Sequence, residues 1–143
     1  MRKSLSLAAA ALLLISCGGG PSFEHFPELE AKEGVQWTDS GLLYEVVTEG
    51  SGPKPTLASR VTVHYEGKFT DGKVFDSSYA RGEPITFPVT GVVPGWTEAL
   101  QLMTAGSTYM LYLPPELGYG ERGKGQIAPN TPLVFKVELL AVN

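Results

Sequence analysis

One cysteine, Cys17, and two histidines, His25 and His64, are all that the 143 residues hold of those types. A single cysteine excludes an internal disulfide, so the chain must fold on its core alone. The same scarcity excludes a structural zinc site, which takes four cysteine or histidine ligands. Lysine and arginine number 11 against 15 acidic residues, for a net charge of −4, and no basic stripe stands out. Nucleic acid is therefore not an expected partner. No Gly-x-Ser-x-Gly elbow is present, no serine and histidine share a triad-like context, and no internal repeat recurs. Gly118-Tyr119-Gly120-Glu121-Arg122-Gly123 does match Gly-x-Gly-x-x-Gly. A dinucleotide site needs a strand before that motif and a helix after it, whereas Pro114-Pro115 precedes it and Gly125 and Pro129 follow.

Residues 5–15 form the longest apolar run, too short to span a bilayer as a helix. With Arg2 and Lys3 before it, the run reads as an export leader rather than as part of the fold. It closes in Leu14-Ile15-Ser16-Cys17, which resembles a bacterial lipobox. That resemblance implies a signal peptide over 1–16, a lipidated Cys17, and an anchored rather than spanning protein. Loss of Arg2 and Lys3 with the leader takes the net charge from −4 to −6. The composition of residues 18–22 and the acidic, sparsely apolar stretch 23–33 predict a flexible tether, with the domain proper over 34–143.

Glycine and proline, 17 and 11 residues, favour loops and strands over a helical bundle. Residues 42–48 read as a strand. Residues 60–69 alternate, with Val61, Val63 and Tyr65 on one face and Thr62, His64 and Glu66 on the other. His64 is thereby expected to be solvated and structural. Asp71-Gly72 predicts a hairpin turn into a strand at Val74-Phe75. A short extended piece follows at 85–88, with further strands at 108–113 and 133–142. The one expected helix covers 94–103: Pro94 suits its first turn, and Val93, Trp96, Leu100 and Met103 fall on one face. Many strands, one helix and no strand–helix–strand alternation predict an α+β fold, an antiparallel twisted sheet wrapped around one short helix.

The runs that remain are Val63-His64-Tyr65-Glu66-Gly67, Val74-Phe75-Asp76-Ser77-Ser78, Val92-Val93-Pro94-Gly95-Trp96, Gly118-Tyr119-Gly120 and residues 132–140. They are rich in aromatic and apolar groups and poor in reactive ones, which suits an apolar pocket with a polar rim. Taken singly, Tyr65, Phe75, Phe87, Trp96 and Phe135 fit core positions. Asp76 alone fits a turn start as well as a site. Tyr119 leans toward binding, because aromatic residues on loops often mark recognition.

In order and spacing these runs resemble the FKBP-type peptidyl-prolyl cis-trans isomerases over about the last 100 residues. The resemblance implies a pocket floored by Trp96 and walled by Tyr65, Phe75, Val92, Val93 and Phe135, with Phe87 extending the lining. It further implies a backbone donor at Val93, a hydroxyl donor at Tyr119, a polar rim at Asp76, and Ile127 on a loop overhanging the pocket. Tyr65, Phe75, Asp76, Val93, Trp96, Tyr119 and Phe135 are thus the expected catalytic set, and Phe87, Val92 and Ile127 the expected substrate contacts. No cofactor or metal is implied. Three departures from the family pattern stand out: Ile85 where a second phenylalanine is common, Ala128 where a proline is common, and the polar run Gly123-Lys124-Gly125-Gln126. They bear on macrolide affinity and on peptide preference.

The implied activity is cis/trans isomerisation of Xaa-Pro bonds in exported proteins, with macrolides as potential inhibitors. Gly18 after the cysteine points to an outer membrane facing a periplasm. A holdase-type peptide-binding module and a structural envelope lipoprotein stand as alternatives. The family's longer members dimerise through an added helical segment, for which this sequence leaves no room, so a monomer is expected.

Overall fold

Alternation along the third strand organises the sheet. The computed structural model describes residues 20–143, so the expected leader and Cys17 lie outside the described residues. The strands are β1 (Gln36–Trp37), β2 (Leu43–Thr48), β3 (Arg60–Lys68), β4 (Val74–Ser77), β5 (Ile85–Pro88), β6 (Thr108–Leu113) and β7 (Leu133–Val142). In β3, Val61, Val63 and Tyr65 are buried, while Thr62, His64 and Glu66 on the other face are only partly covered. β3 pairs with β7 from Val61↔Val142 to Lys68↔Val134, and β7 pairs with β6 from Thr108↔Glu138 to Leu113↔Leu133. Beyond β6 lie β2 and then the two-residue edge β1. The opposite edge of β3 is shared end to end by β4 and β5. All seven strands run antiparallel. β2 and β3 follow one another in sequence, yet β6 and β7 lie between them, so the sheet closes only when the C-terminal strand is in place.

The predicted α+β architecture is the observed one, with differences at element ends. Helix α2 (Pro94–Leu100) stops short of the expected Met103. The apolar periodicity does continue, and Met103 is fully buried, but the bonds tighten: Gln101 and Leu102 donate to Glu98 and Ala99, three residues back. Such a closing 3₁₀ turn is common at helix ends. A four-residue helix, α1 (Ser78–Arg81), is too short to carry a periodic signal. It is marked instead by its ends, where Ser77 Oγ accepts from Ala80 N and Gly82 takes a left-handed φ of 84°. β4 reaches Ser77 rather than Phe75.

The expected tether over 23–33 is not what the described structure shows. Pro27–Leu29 forms a 3₁₀ turn that places Phe26 and Leu29 on one side, both buried. They pack on Leu43 and Tyr112, with Phe26 and Tyr112 rings edge to face at 5.5 Å. Adjacent strand residues face opposite ways, and so Leu42 enters the main core while Leu43 meets this segment. The sheet is covered on one face by α2 and on the other by its own N-terminal strap. Lys32 pairs with Glu45 at 3.2 Å and Tyr112 Oη donates to the same carboxylate at 2.5 Å. The strap's two apolar anchors sit only three residues apart in an otherwise polar stretch, which is why composition read it as a linker.

Phe26→Ala should destabilise the protein by about 3 kcal/mol, within the range for buried phenylalanine truncation, as read by chemical denaturation. Exposed Glu24→Ala should stay within about 0.5 kcal/mol of the parent.

Candidate active site

Seven separate segments contribute residues to one cavity of about 140 Å³. β3 supplies Tyr65, β4 supplies Phe75 and Asp76, and β5 supplies Phe87. The 3₁₀ turn Val89–Gly91 and the residues after it supply Gly91, Val92 and Val93. Trp96 comes from the first turn of α2, Tyr119 from the loop after the 3₁₀ turn Pro115–Leu117, and Phe135 from β7.

Trp96 is the floor. It is 4% exposed and meets Tyr65 at 5.3 Å and 84°, Phe87 at 5.6 Å and 68°, and Phe135 at 5.3 Å and 90°. These edge-to-face contacts satisfy the aromatic quadrupoles and hold the indole from three strands. Its Nε1 is buried with no hydrogen-bond partner among the described residues. Phe75 stands edge-on to Phe135 at 5.7 Å. Two glycines permit these approaches. A Cβ on Gly67 would lie 2.7 Å from both the Phe75 and Phe135 rings, and one on Gly95 would lie 2.7 Å from Leu113 Cγ. The first lets two wall rings meet over β3. The second lets α2 sit against β6.

The rim is polar on one side. Tyr65 Oη donates to Asp76 Oδ2 at 2.5 Å, Arg81 pairs with Asp76 Oδ1, and Arg81 Nη2 donates to Tyr65 Oη at 3.1 Å. Burial alone would raise the Asp76 carboxyl, but the hydrogen bonds from Tyr65 and Arg81 and the guanidinium charge outweigh it. The carboxyl therefore lies below its ordinary value. Burial first, then the bond to that carboxylate, pushes the Tyr65 phenol up against the opposing pull of Arg81. Tyr119 is raised by burial and by the Asp76 charge, and Lys124 Nζ lies 5.8 Å from its ring centre. Both phenols are thus neutral donors at physiological pH.

The structure brings together Tyr65, Phe75, Asp76, Phe87, Val92, Val93, Trp96, Tyr119 and Phe135. Ile127 is not among the lining residues. Lys124 and Ile127 exchange two backbone hydrogen bonds of 2.8 Å, folding the loop on itself, and Ile127 is buried in the main core. Gln126 instead reaches the wall, donating to Phe75 O at 3.1 Å. Two residues were not read from sequence. Gly91 lines the cavity without a side chain to signal it, and Arg81 joins Asp76 across α1, five positions on. His64 is not merely solvated, for its ring stacks on Tyr79 at 4.6 Å and its Nδ1 lies 2.8 Å from Ser78 Oγ. Among the described residues no three His, Cys, Asp or Glu side chains cluster to hold a metal.

A family profile described as "FKBP-type peptidyl-prolyl cis-trans isomerase" matches residues 52–140. The chain belongs to that family. It is 55% identical over 120 residues to the FKBP-type 22 kDa peptidyl-prolyl cis-trans isomerase of Escherichia coli K12, covering 83% of this chain and 58% of that protein. It is 48% identical over 114 residues to the outer membrane protein MIP of Legionella longbeachae, covering 79% of this chain and 49% of that one. The crystal structure of FkpA from Escherichia coli superposes with a TM-score of 0.79 at 46% identity, covering 82% of this chain and 55% of that chain. The chain thus spans about half the length of the curated relatives it matches.

Because the Asp76 carboxyl is depressed, the stability it contributes is present above the unfolded carboxylate value of about 3.9. It is lost as pH falls through the lower folded value. Unfolding midpoints of the parent and Asp76→Asn should therefore separate above about pH 4 and converge below it.

Proposed function

We propose that this protein is a peptidyl-prolyl cis-trans isomerase acting on Xaa-Pro bonds of exported proteins. One observation carries the reading: a small cavity with an indole floor, aromatic walls and a rim of neutral phenols beside a fixed carboxylate. Rotation about an Xaa-Pro bond faces a barrier of about 18–20 kcal/mol because the planar amide is resonance-stabilised. No acid, base or covalent step is needed to lower it. The planar amide is the more charge-separated form, so an apolar enclosure disfavours it relative to the twisted one. Fixed donors then hold the twisted rotamer.

In this reading the proline ring rests on Trp96, between Tyr65, Phe75 and Phe135, with Phe87 and Val92 extending the contact. Val93 is the cap residue of α2, with φ −62° and ψ 154°, and its carbonyl accepts from Trp96 and Thr97. The resemblance to the family puts the main-chain donor for the substrate carbonyl at the Val93 N–H, at a helix start whose donors have no intrahelical acceptor. Tyr119 Oη is the second donor. Asp76 orients Tyr65 and sets the electrostatic rim. Small aliphatic or aromatic residues before proline fit such a wall best, and no cofactor takes part. Macrolide inhibitors would occupy the same cavity, and the polar run 123–126 bears on how tightly.

The protein acts outside the cytoplasm, anchored by lipid on Cys17 to the outer membrane. The leader pattern supports this, as does a relative named an outer membrane protein. No helix among the described residues is long and apolar enough to cross a membrane. Mass spectrometry of the membrane fraction should find acylated Cys17, and Cys17→Ser should release the protein.

NMR exchange spectroscopy on an Ala-Leu-Pro-Phe peptide tests the activity. The protein should accelerate exchange. Tyr119→Phe should lower kcat/KM about tenfold, the worth of one hydrogen bond in a dry site, and Trp96→Ala should lower it further, with a loss of stability that chemical denaturation reads beside it. Binding of the peptide without acceleration would make the protein a peptide-binding module instead.

A further inference from the structure

β3 is left without a strand beside it at one point on its outer edge. β4 pairs with it from Lys68 back to Glu66, opposite Ser77, and β5 pairs with it from Arg60 to Val63, opposite Ile85. His64 and Tyr65 lie in the gap. Ser78 fills it. Its Oγ accepts the Tyr65 N–H at 2.7 Å, lies 3.3 Å from Tyr65 O, and lies 2.8 Å from His64 Nδ1, with the residue fully buried. A hydroxyl offers one proton and two lone pairs, so these three neighbours engage it completely.

Ser78 is also the first residue of α1, whose last residue is Arg81. Tyr65 is therefore held twice by one short helix: at its main chain by Ser78, and at its phenol by Arg81 Nη2 at 3.1 Å. That phenol donates to Asp76, which Arg81 also grips. Behind Ser78, His64 is braced on Tyr79, whose Oη donates to Glu138 at 3.0 Å and whose ring centre lies 5.6 Å from Lys136 Nζ.

We infer that Ser78 is a positioning residue of the active site, its hydroxyl standing in for the missing strand and fixing Tyr65, Asp76 and Arg81 around the cavity. The consequence for turnover rests on the isomerase reading above. The consequence for geometry does not.

Its neighbour supplies the control. Ser77 Oγ caps the same helix by accepting from Ala80 N at 3.2 Å, but makes no contact with Tyr65 N. Ser77→Ala removes that cap while keeping the Ser77 backbone bond to Asp76. The experiment follows the Asp76 carboxyl by carbon-13 NMR titration and the Tyr65 amide by hydrogen exchange in the parent, Ser78→Ala and Ser77→Ala, beside kcat and KM for the proline peptide. Ser78→Ala should move the Asp76 titration up toward that of a free carboxylate and speed exchange of the Tyr65 amide at least about tenfold. It should lower kcat about tenfold with KM within about twofold. Ser77→Ala should leave the Asp76 titration in place.

A folded Ser78→Ala protein with an unmoved Asp76 titration, or an equal shift in Ser77→Ala, would overturn the assignment. Should Ser78→Ala not fold, His64→Phe decides. It keeps a ring on Tyr79 but removes Nδ1, and must shift Asp76 the same way by a smaller amount. A parent protein that does not accelerate proline exchange would sink the isomerase reading, and the Asp76 titration alone would then judge Ser78.

Discussion

The ring of Trp96 is where the core and the cavity meet. It docks α2 onto the sheet through edge-on contacts with Tyr65 of β3, Phe87 of β5 and Phe135 of β7. The face left over is the cavity floor. Burial of a ring this size contributes several times what a single exposed contact does, and edge-to-face partners add about 0.5–1.5 kcal/mol per pair. Stability and site shape are therefore not separable here: whatever loosens the floor also loosens the helix. An apolar cavity that must stay open in water needs walls fixed by something other than its contents, and three strands pressing on one indole supply that.

The sheet carrying those strands is covered on both faces, by unequal means. The main core packs α2 against β3, β6 and β7, while the opposite face is closed by two residues of a strap, Phe26 and Leu29, set on Leu43 and Tyr112. A sheet with a large uncovered apolar face is an association hazard. The strap removes it, and it also brings the chain preceding the domain onto the folded body. Any anchor at Cys17 would then stand nine links from Phe26, the strap's first buried residue, each link reaching at most about 3.6 Å.

Polarity is confined to one side of the cavity. Asp76, Arg81 and Tyr65 satisfy one another, so the rim presents a fixed field and no group poised for proton transfer. This distinguishes the site from a hydrolase or a general acid–base centre, where titration near neutral pH is the working property. In the proposed reading a twisted amide needs shape and oriented dipoles, and an internally neutralised rim beside raised phenols provides both without competing chemistry.

The parts legible in the sequence are those governed by local periodicity. The two-residue alternation of 60–66, the Asp71-Gly72 turn and the Pro94 helix start each follow from backbone geometry and hold in the structure. The site positions were legible only as a joint pattern, since each aromatic alone fits a core. Ile127, His64, Arg81, Ser78 and the strap were decided by tertiary structure. Whether Ile127 meets the cavity or the core depends on a two-bond fold-back of its loop. Whether Phe26 is tether or clamp depends on an uncovered patch at Leu43 and Tyr112, distant in sequence. Spacing along a chain encodes which face a residue takes within its own element. It does not encode what occupies the space opposite, and that neighbour settles each of these five cases.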